Sequence, residues 1–182
     1  VFDDYAHHPT EVKATLSSAE GMNDKRVIAV FQPHRYTRLK TLWNEFLDAF
    51  SGIDKVVVTD VYAASEDPIE GINSKKFAEE LSEHISIPCE YIGGSIADVA
   101  KKLYPELKKD DVVIGLGAGT ITNLSKESQE LLLPVICQTL LFHLLAMMAL
   151  LFQPKSFLIL LSMEQKLWQG PVLEVQSCQK LH

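Results

Sequence analysis

Cysteine is scarce in this sequence: Cys89, Cys137 and Cys178 are its only three, too far apart for a C-x-x-C pair or a zinc-ligand spacing. A disulfide scaffold and a zinc-ribbon module are thereby excluded. So sparse and odd a count, without a signal-peptide pattern, leads to the expectation of a cytoplasmic protein. Positive charge is short as well. Lys and Arg number 17 against 24 Asp and Glu, a net charge of -7, whereas nucleic-acid binding calls for a basic surface. No G-x-x-x-x-G-K-[ST] occurs, so the chain carries no phosphate loop with which to grip a triphosphate. Internal repeats and low-complexity tracts are missing too.

What is present reads as globular: 182 residues with 47% hydrophobic and 23% charged content, enough for one domain and an appendage. The first residues, Val1–Phe2, read like the end of a strand, and the chain is expected to be cut from something longer. The composition changes near Leu131. Beyond it the only charged residues are Lys155, Glu164, Lys166, Glu174 and Lys180.

Before that point, short β-branched runs alternate with amphipathic segments. Strands are expected at Val1–Asp4, Val27–Phe31, Lys55–Thr59, Cys89–Ile92 and Val112–Leu116. Helices are expected at Pro9–Ala19, Thr37–Phe50, Ser74–Glu83 with Ser74 as cap, Ser95–Leu103 and Ile121–Leu133. Strands alternating with helices imply an α/β fold, a mostly parallel sheet with helices on both faces. The unbroken apolar runs VIAVF, VVV and VVIGL suit strands buried on both sides.

The tail has no such pattern. Leu131–Phe152 runs 22 residues without a charge, long enough for a transmembrane helix, although Pro134, Gln138 and His143 count against one. Three readings stand: a membrane anchor, an apolar helical extension packed on a neighbour, or a non-native end joined to a well-formed domain. The abrupt loss of patterning favours the last.

In open α/β sheets ligands bind beyond the carboxyl ends of the strands, and the chemically equipped residues fall there: Asp3–Glu11, Gln32–Arg38, Asp60–Glu66 and Gly115–Thr120. Arg35 and Arg38, three apart at a helix start with His34 beside them, suit a carboxylate or phosphate. Surface salt bridges are the plain alternative. His7 and His8 follow Asp4 closely. Imidazole can position or move protons near neutral pH, and Asp4 can accept from a ribose diol or simply form a turn. Zinc held by His7, His8 and His34 lacks a usual ligand spacing. Gly115-x-Gly117-x-Gly119 invites a phosphate-loop reading, but it follows the last strand rather than the first, so close helix–sheet packing is the expected role. Tyr5, Tyr36 and Tyr62 could stack on a base or line a pocket.

DDYAHHPTE, FQPHRYTR, DVYAASEDPIEGI and GLGAG together resemble the carboxy-terminal domain of the Mur ligases of peptidoglycan synthesis, from Val1 to about Leu132. The resemblance is nearest to those members that join L-alanine to UDP-N-acetylmuramate. It implies a Rossmann-like domain over 1–132 and leaves 133–182 as an unmatched apolar tail. It further implies a three-domain cytoplasmic enzyme using ATP and Mg2+, in which ATP phosphorylates the substrate carboxylate and the amino acid's amine attacks the acyl phosphate. Carried over, Asp4 would hydrogen-bond the ATP ribose, His7 would line the amino-acid site, and His34, Arg35 and Arg38 would hold the alanine carboxylate. The general base and metal ligands would lie mostly on domains missing here. No catalytic residue or metal ligand is therefore assigned to this chain, which is expected to have no ligase activity alone. A non-catalytic module binding a small carboxylate or nucleotide is the alternative. Neither nucleic acid nor, with the tail's reservation, a membrane is an expected partner.

Overall fold

A computed structural model describes residues 1–20 and 25–131, together with Leu141 and His143. The expected tail, 133–182, with its membrane-anchor reading, lies outside the described residues but for those two. Among the described residues, no helix is long and apolar enough to cross a membrane.

Five strands, β1 (Phe2–Asp4), β2 (Val27–Phe31), β3 (Lys55–Val58), β4 (Cys89–Tyr91) and β5 (Val112–Leu116), form one sheet. All its pairings are parallel, in the order β1-β5-β2-β3-β4. The helices are α1 (Pro9–Ala19), α2 (Tyr36–Thr41), α3 (Trp43–Leu47), α4 (Ser74–His84) and α5 (Ile96–Leu103). A last helix covers 124–131, entered through the 3-10 turn Thr120–Asn123.

Side chains alternate across a strand, so each apolar run feeds two cores. Val27, Ala29 and Phe31 join Val12, Leu16, Leu39, Phe46, Phe77 and Leu81 beneath α1 to α4. Ile28, Val30, Val57 and Val113 join Ile96, Val99, Leu103, Ile121 and Leu124 beneath α5 and the last helix. Phe31 is the hub of the first core, with ring centroids 5.2 Å from Phe46, 5.3 Å from Phe50 and 6.1 Å from Phe77. Burying one such ring stabilises by about 1.5–3 kcal/mol.

Two local expectations need correction. The helix expected over Thr37–Phe50 is two short ones, because Leu42 leaves helical geometry at φ -110 and ψ 26. Leu39 and Phe46 stay buried on either side of the break, so the apolar spacing runs through it. The cap of α4 is Asn73, whose side chain accepts from the Lys76 amide at 2.9 Å, and not Ser74, which is the first helical residue and is buried. At α1 the expected start holds: Pro9 occupies the first turn, where a missing N–H is harmless. Glu11 reaches back to accept the amides of His7 and His8, both at 3.0 Å.

The sheet order positions the site. β1, β2 and β3 send their chains into helices on one face, while β4 and β5 send theirs to the other. β5 lies between β1 and β2, so strands leaving to opposite faces are neighbours, the arrangement that opens a crevice at the carboxyl edge. Asp4, Leu116, Phe31 and Val58 stand abreast in register along that edge.

Candidate functional site

Strand alternation splits the Asp3–Asp4 pair. Asp3 turns to the last helix, where it accepts from the Ser125 hydroxyl and, at 3.3 Å, from the Ser125 amide. Burial raises its pKa, with the Ser125 bonds opposing. Asp4 turns to α1 and accepts from the Ala6 amide and the Thr15 hydroxyl, both at 2.9 Å. It thus ties the loop to the helix as a turn former. Each carboxylate oxygen accepts more than one bond, so capacity for a ribose hydroxyl remains.

The loop after β2 is zipped to the loop after β3. The Tyr62 amide donates to the Pro33 carbonyl at 2.8 Å, and the Arg35 amide donates to the Tyr62 carbonyl at 2.9 Å. This extra bridge pairs His34 with Tyr62, and their rings stack with centroids 5.5 Å apart. The His7 ring stands edge-on to His34 at 5.7 Å, and Tyr5, 63% exposed, stands edge-on to His7 at 5.4 Å. The structure therefore gathers His7, His34 and Tyr62 from three loops, with Arg38 bound to His34 through Nδ1 at 3.0 Å.

The two arginines have different partners. Arg38 lies on His34; Arg35 lies 3.8 Å from Glu66. Arg35 is not in the helix but caps it, at φ 71 and ψ 136, a backbone region that side chains avoid. Glu66 accepts the Thr37 amide at 3.0 Å and the Thr37 hydroxyl at 2.7 Å, so an internal carboxylate covers the first turn of α2. Those N–H and O–H donors hold the Glu66 carboxyl below its usual range. His34 is pushed down, chiefly by burial and then by Arg38, His7 and Arg35, with Glu66 opposing.

The glycine loop packs closely on its neighbours. Gln32, buried at the end of β2, accepts the Ile121 amide at 3.0 Å and donates to the Thr120 hydroxyl at 2.9 Å. A Cβ on Gly119 would stand 2.5 Å from both Gln32 Oε1 and Tyr62 Cγ, and one on Gly117, at φ +145, would stand 2.8 Å from the Gln32 carbonyl oxygen. Close approach to Gln32 and Tyr62 is what these glycines permit, in keeping with the packing role expected of them.

Sequence reasoning placed His7, His34, Arg35, Arg38 and Asp4 at the carboxyl edge, where they are. It missed Gln32 as the clasp between β2 and the glycine loop, Glu66 as a cap supplied from another loop, and the Tyr62 stack. A polar residue directly after a fully apolar strand is the one signal that could have flagged Gln32. Tyr36, by contrast, sits on α2. Among the described residues, no three His, Cys, Asp or Glu side chains form a group that could hold a metal ion. The described carboxylates thus do not converge on a site that fits a resident Mg2+.

A family model described as "Mur ligase, glutamate ligase domain" matches residues 1–119. The chain is 50% identical over 121 residues to the UDP-N-acetylmuramate–L-alanine ligase of Caldicellulosiruptor bescii, covering 66% of this chain and 26% of that protein. It is 48% identical over 126 residues to the enzyme of the same name from Sulfurihydrogenibium sp., covering 69% and 27%. The crystal structure of the UDP-N-acetylmuramate-alanine ligase from Thermotoga maritima aligns with a TM-score of 0.54 at 26% identity, over 70% of this chain and 25% of that one. The chain thus spans about a quarter of the length of the curated relatives it matches.

Proposed function

Since this chain belongs to the Mur ligase family, through its glutamate ligase domain, we propose that it serves as the carboxy-terminal domain of an ATP-dependent ligase joining L-alanine to UDP-N-acetylmuramate. The single observation that carries this reading is the meeting of His7, His34 and Arg38 at the carboxyl edge that Asp4 also ends on, in a chain 50% identical over 121 residues to a ligase of that name. The domain extends over 1–132, and 133–182 is an apolar tail outside it.

In the complete enzyme, ATP phosphorylates the carboxylate of the sugar acid, the amine of L-alanine attacks the acyl phosphate, and phosphate leaves. Residues of this chain bind and orient. Arg38, with its neighbours His34 and Arg35, holds the amino-acid carboxylate. His7 lines the same site, and Asp4 accepts from the ATP ribose. Holding the amine in line with the acyl phosphate lowers the barrier chiefly through positioning and electrostatics, worth several kcal/mol in such sites. Mg2+ and the triphosphate are held by other domains, which agrees with the lack of a phosphate loop here. The enzyme works in the cytoplasm, in peptidoglycan synthesis.

The test is a domain exchange. Residues 1–132 replace the matching segment of the Caldicellulosiruptor bescii ligase, and phosphate release is followed against L-alanine. The exchanged enzyme is expected to turn over and the Arg38→Ala version to lose saturation by L-alanine, while the isolated chain does neither. ATP-dependent ligation by the chain alone, or a folded exchange enzyme with no L-alanine-dependent turnover, would overturn the proposal.

A further inference from the structure

Arg35 stands at the cap of α2, where a short acceptor such as Ser or Asp ordinarily satisfies the first amides of a helix. An arginine side chain only donates, and this one makes no cap bond. Glu66, from the loop after β3, supplies the missing acceptor. One of its oxygens takes the Thr37 amide at 3.0 Å and the other takes the Thr37 hydroxyl at 2.7 Å. The cap is thus moved to another loop, and the guanidinium is free to leave the helix. The Arg35 side chain is 49% exposed against 20% for Glu66, and its Nη1 lies 3.8 Å from Glu66 Oε1. At that length the two form an ion pair and not a hydrogen bond. Glu66 therefore orients the guanidinium without using up its N–H donors.

The loop that carries Glu66 is built to aim it. Ala64 and Ser65 stand at φ 48 and φ 69, in the left-handed region that L residues avoid. The Glu66 amide closes the turn on the Ala63 carbonyl at 3.0 Å. Among the described residues four non-glycine residues have positive φ, and three of them are Arg35, Ala64 and Ser65. Strain of this kind persists only where the surroundings impose it. Here each strained turn is held by the other's loop: the Tyr62 carbonyl takes the Arg35 amide, and Glu66 takes Thr37.

We propose that Glu66 is a positioning residue for the ligation reaction: by capping α2 in place of Arg35, it holds the Arg35 guanidinium out at the carboxyl edge, oriented to meet the amino-acid carboxylate. Glu66 itself touches no substrate. The inference rests on the amino-acid reading of the site and adds to it a residue of the third loop, which neither strand ends nor resemblance assigned. A carboxylate beside an arginine has two opposed effects, since it orients the group and also weakens its pull on a second anion. Orientation prevails here, because both Glu66 oxygens are spent on Thr37 and the arginine is the more distant contact.

The sign of the effect is the test. L-alanine is titrated into the full chain and followed by nitrogen-15 NMR in wild type, Arg38→Ala, Arg35→Ala, Glu66→Ala, Glu66→Gln and each Glu66 variant combined with Arg35→Ala. Amide resonances of β2 and β5 in their wild-type places show that the fold is kept. Glu66→Ala is expected to weaken L-alanine binding about fivefold, the order of one ordinary hydrogen bond. Glu66→Gln keeps an acceptor for the Thr37 amide and is expected to lose only about twofold. With Arg35 already removed, Glu66→Ala is expected to change the affinity by less than about twofold, because the two act as one unit. Binding that is unchanged or tighter in Glu66→Ala overturns the proposal. So does a loss as large without Arg35 as with it, since that is the mark of a merely structural cap. If Glu66→Ala loses the β2 and β5 resonances, Glu66→Gln with and without Arg35 decides by the same comparison. A wild-type chain that does not respond to L-alanine, or that responds no better than Arg38→Ala, overturns the amino-acid reading itself, and this inference with it.

Discussion

Arg35 holds a backbone conformation that most residues refuse, and its cost can be measured. At φ 71 and ψ 136 its Cβ crowds the neighbouring peptide groups. The conformation persists because both sides of the peptide are engaged, the amide by the Tyr62 carbonyl at 2.9 Å and the carbonyl by the Leu39 amide at 3.1 Å. Such a residue costs about 1–3 kcal/mol. Glycine removes the strain but loses about 0.5–1 kcal/mol to its freer unfolded chain, relative to alanine. Arg35→Ala and Arg35→Gly both delete the guanidinium and its contact with Glu66, so that contribution cancels between them. Taking the middle of both ranges, glycine is then expected to be more stable than alanine by about 1 kcal/mol, or roughly 2–4 °C in Tm for a chain of this size. Thermal and urea unfolding followed by circular dichroism, at one pH, supply the comparison. Equal stabilities, or alanine the more stable, would refute the claim that the backbone is strained there. The same pair separates two roles. Both variants should lose carboxylate affinity alike in the exchange enzyme, since only the side chain is proposed to touch substrate.

Three further outcomes are expected. The unfolded His34 ring titrates near 6.5 and the folded one lower, so its contribution to stability is full above about pH 6.5 and is lost as pH falls through the folded value. The fall in Tm from about pH 7.5 to about pH 5 should accordingly be smaller in His34→Asn, and an unchanged fall would refute it. Gly119→Ala should cost about 1–3 kcal/mol in urea unfolding, because the new methyl must displace Gln32 or Tyr62 from 2.5 Å; a neutral result would contradict the packing. Asn73→Ala should cost about 1 kcal/mol, whereas Ser74→Ala, whose buried hydroxyl has no hydrogen-bond partner, should be close to neutral. The reverse order would restore Ser74 as the cap.

The strands were legible because burial on both faces leaves an unbroken apolar run, and VIAVF and VVIGL were placed to the residue. The break at Leu42 was not, because Leu39, Leu42, Trp43 and Phe46 keep helical spacing across it and nothing local breaks the chain. Asn73 lost to Ser74 since both residue types cap helices well, and only the burial of Ser74 decides between them. Within the site, the loops that carry chemistry could be found from strand ends, but partners could not. Glu66 reaches Thr37 across 29 positions, the strand order is silent in the sequence, and nothing in Pro33-His34-Arg35-Tyr36 announces a positive φ. The Arg pair was read from its spacing alone, which is silent on partners: in the structure Arg38 lies on His34 and Arg35, which precedes the helix, lies 3.8 Å from Glu66.

The place of β5 in the sheet sets the order in which this domain can be made. Among the described residues it is the last strand to be synthesised, yet β1 and β2 meet only through it. Until Leu116 has emerged, β1 has no partner and β2 offers a bare edge, the kind of surface that invites pairing with another chain. Contacts between residues more than a hundred positions apart, such as Asp3 with Ser125, must close late and carry a high loop-closure cost. A nascent chain of this domain therefore has no crevice at all until β5 slides between its first two strands, and any truncation before Val112 leaves β1 alone beside a β2-β3-β4 sheet with nothing to join them.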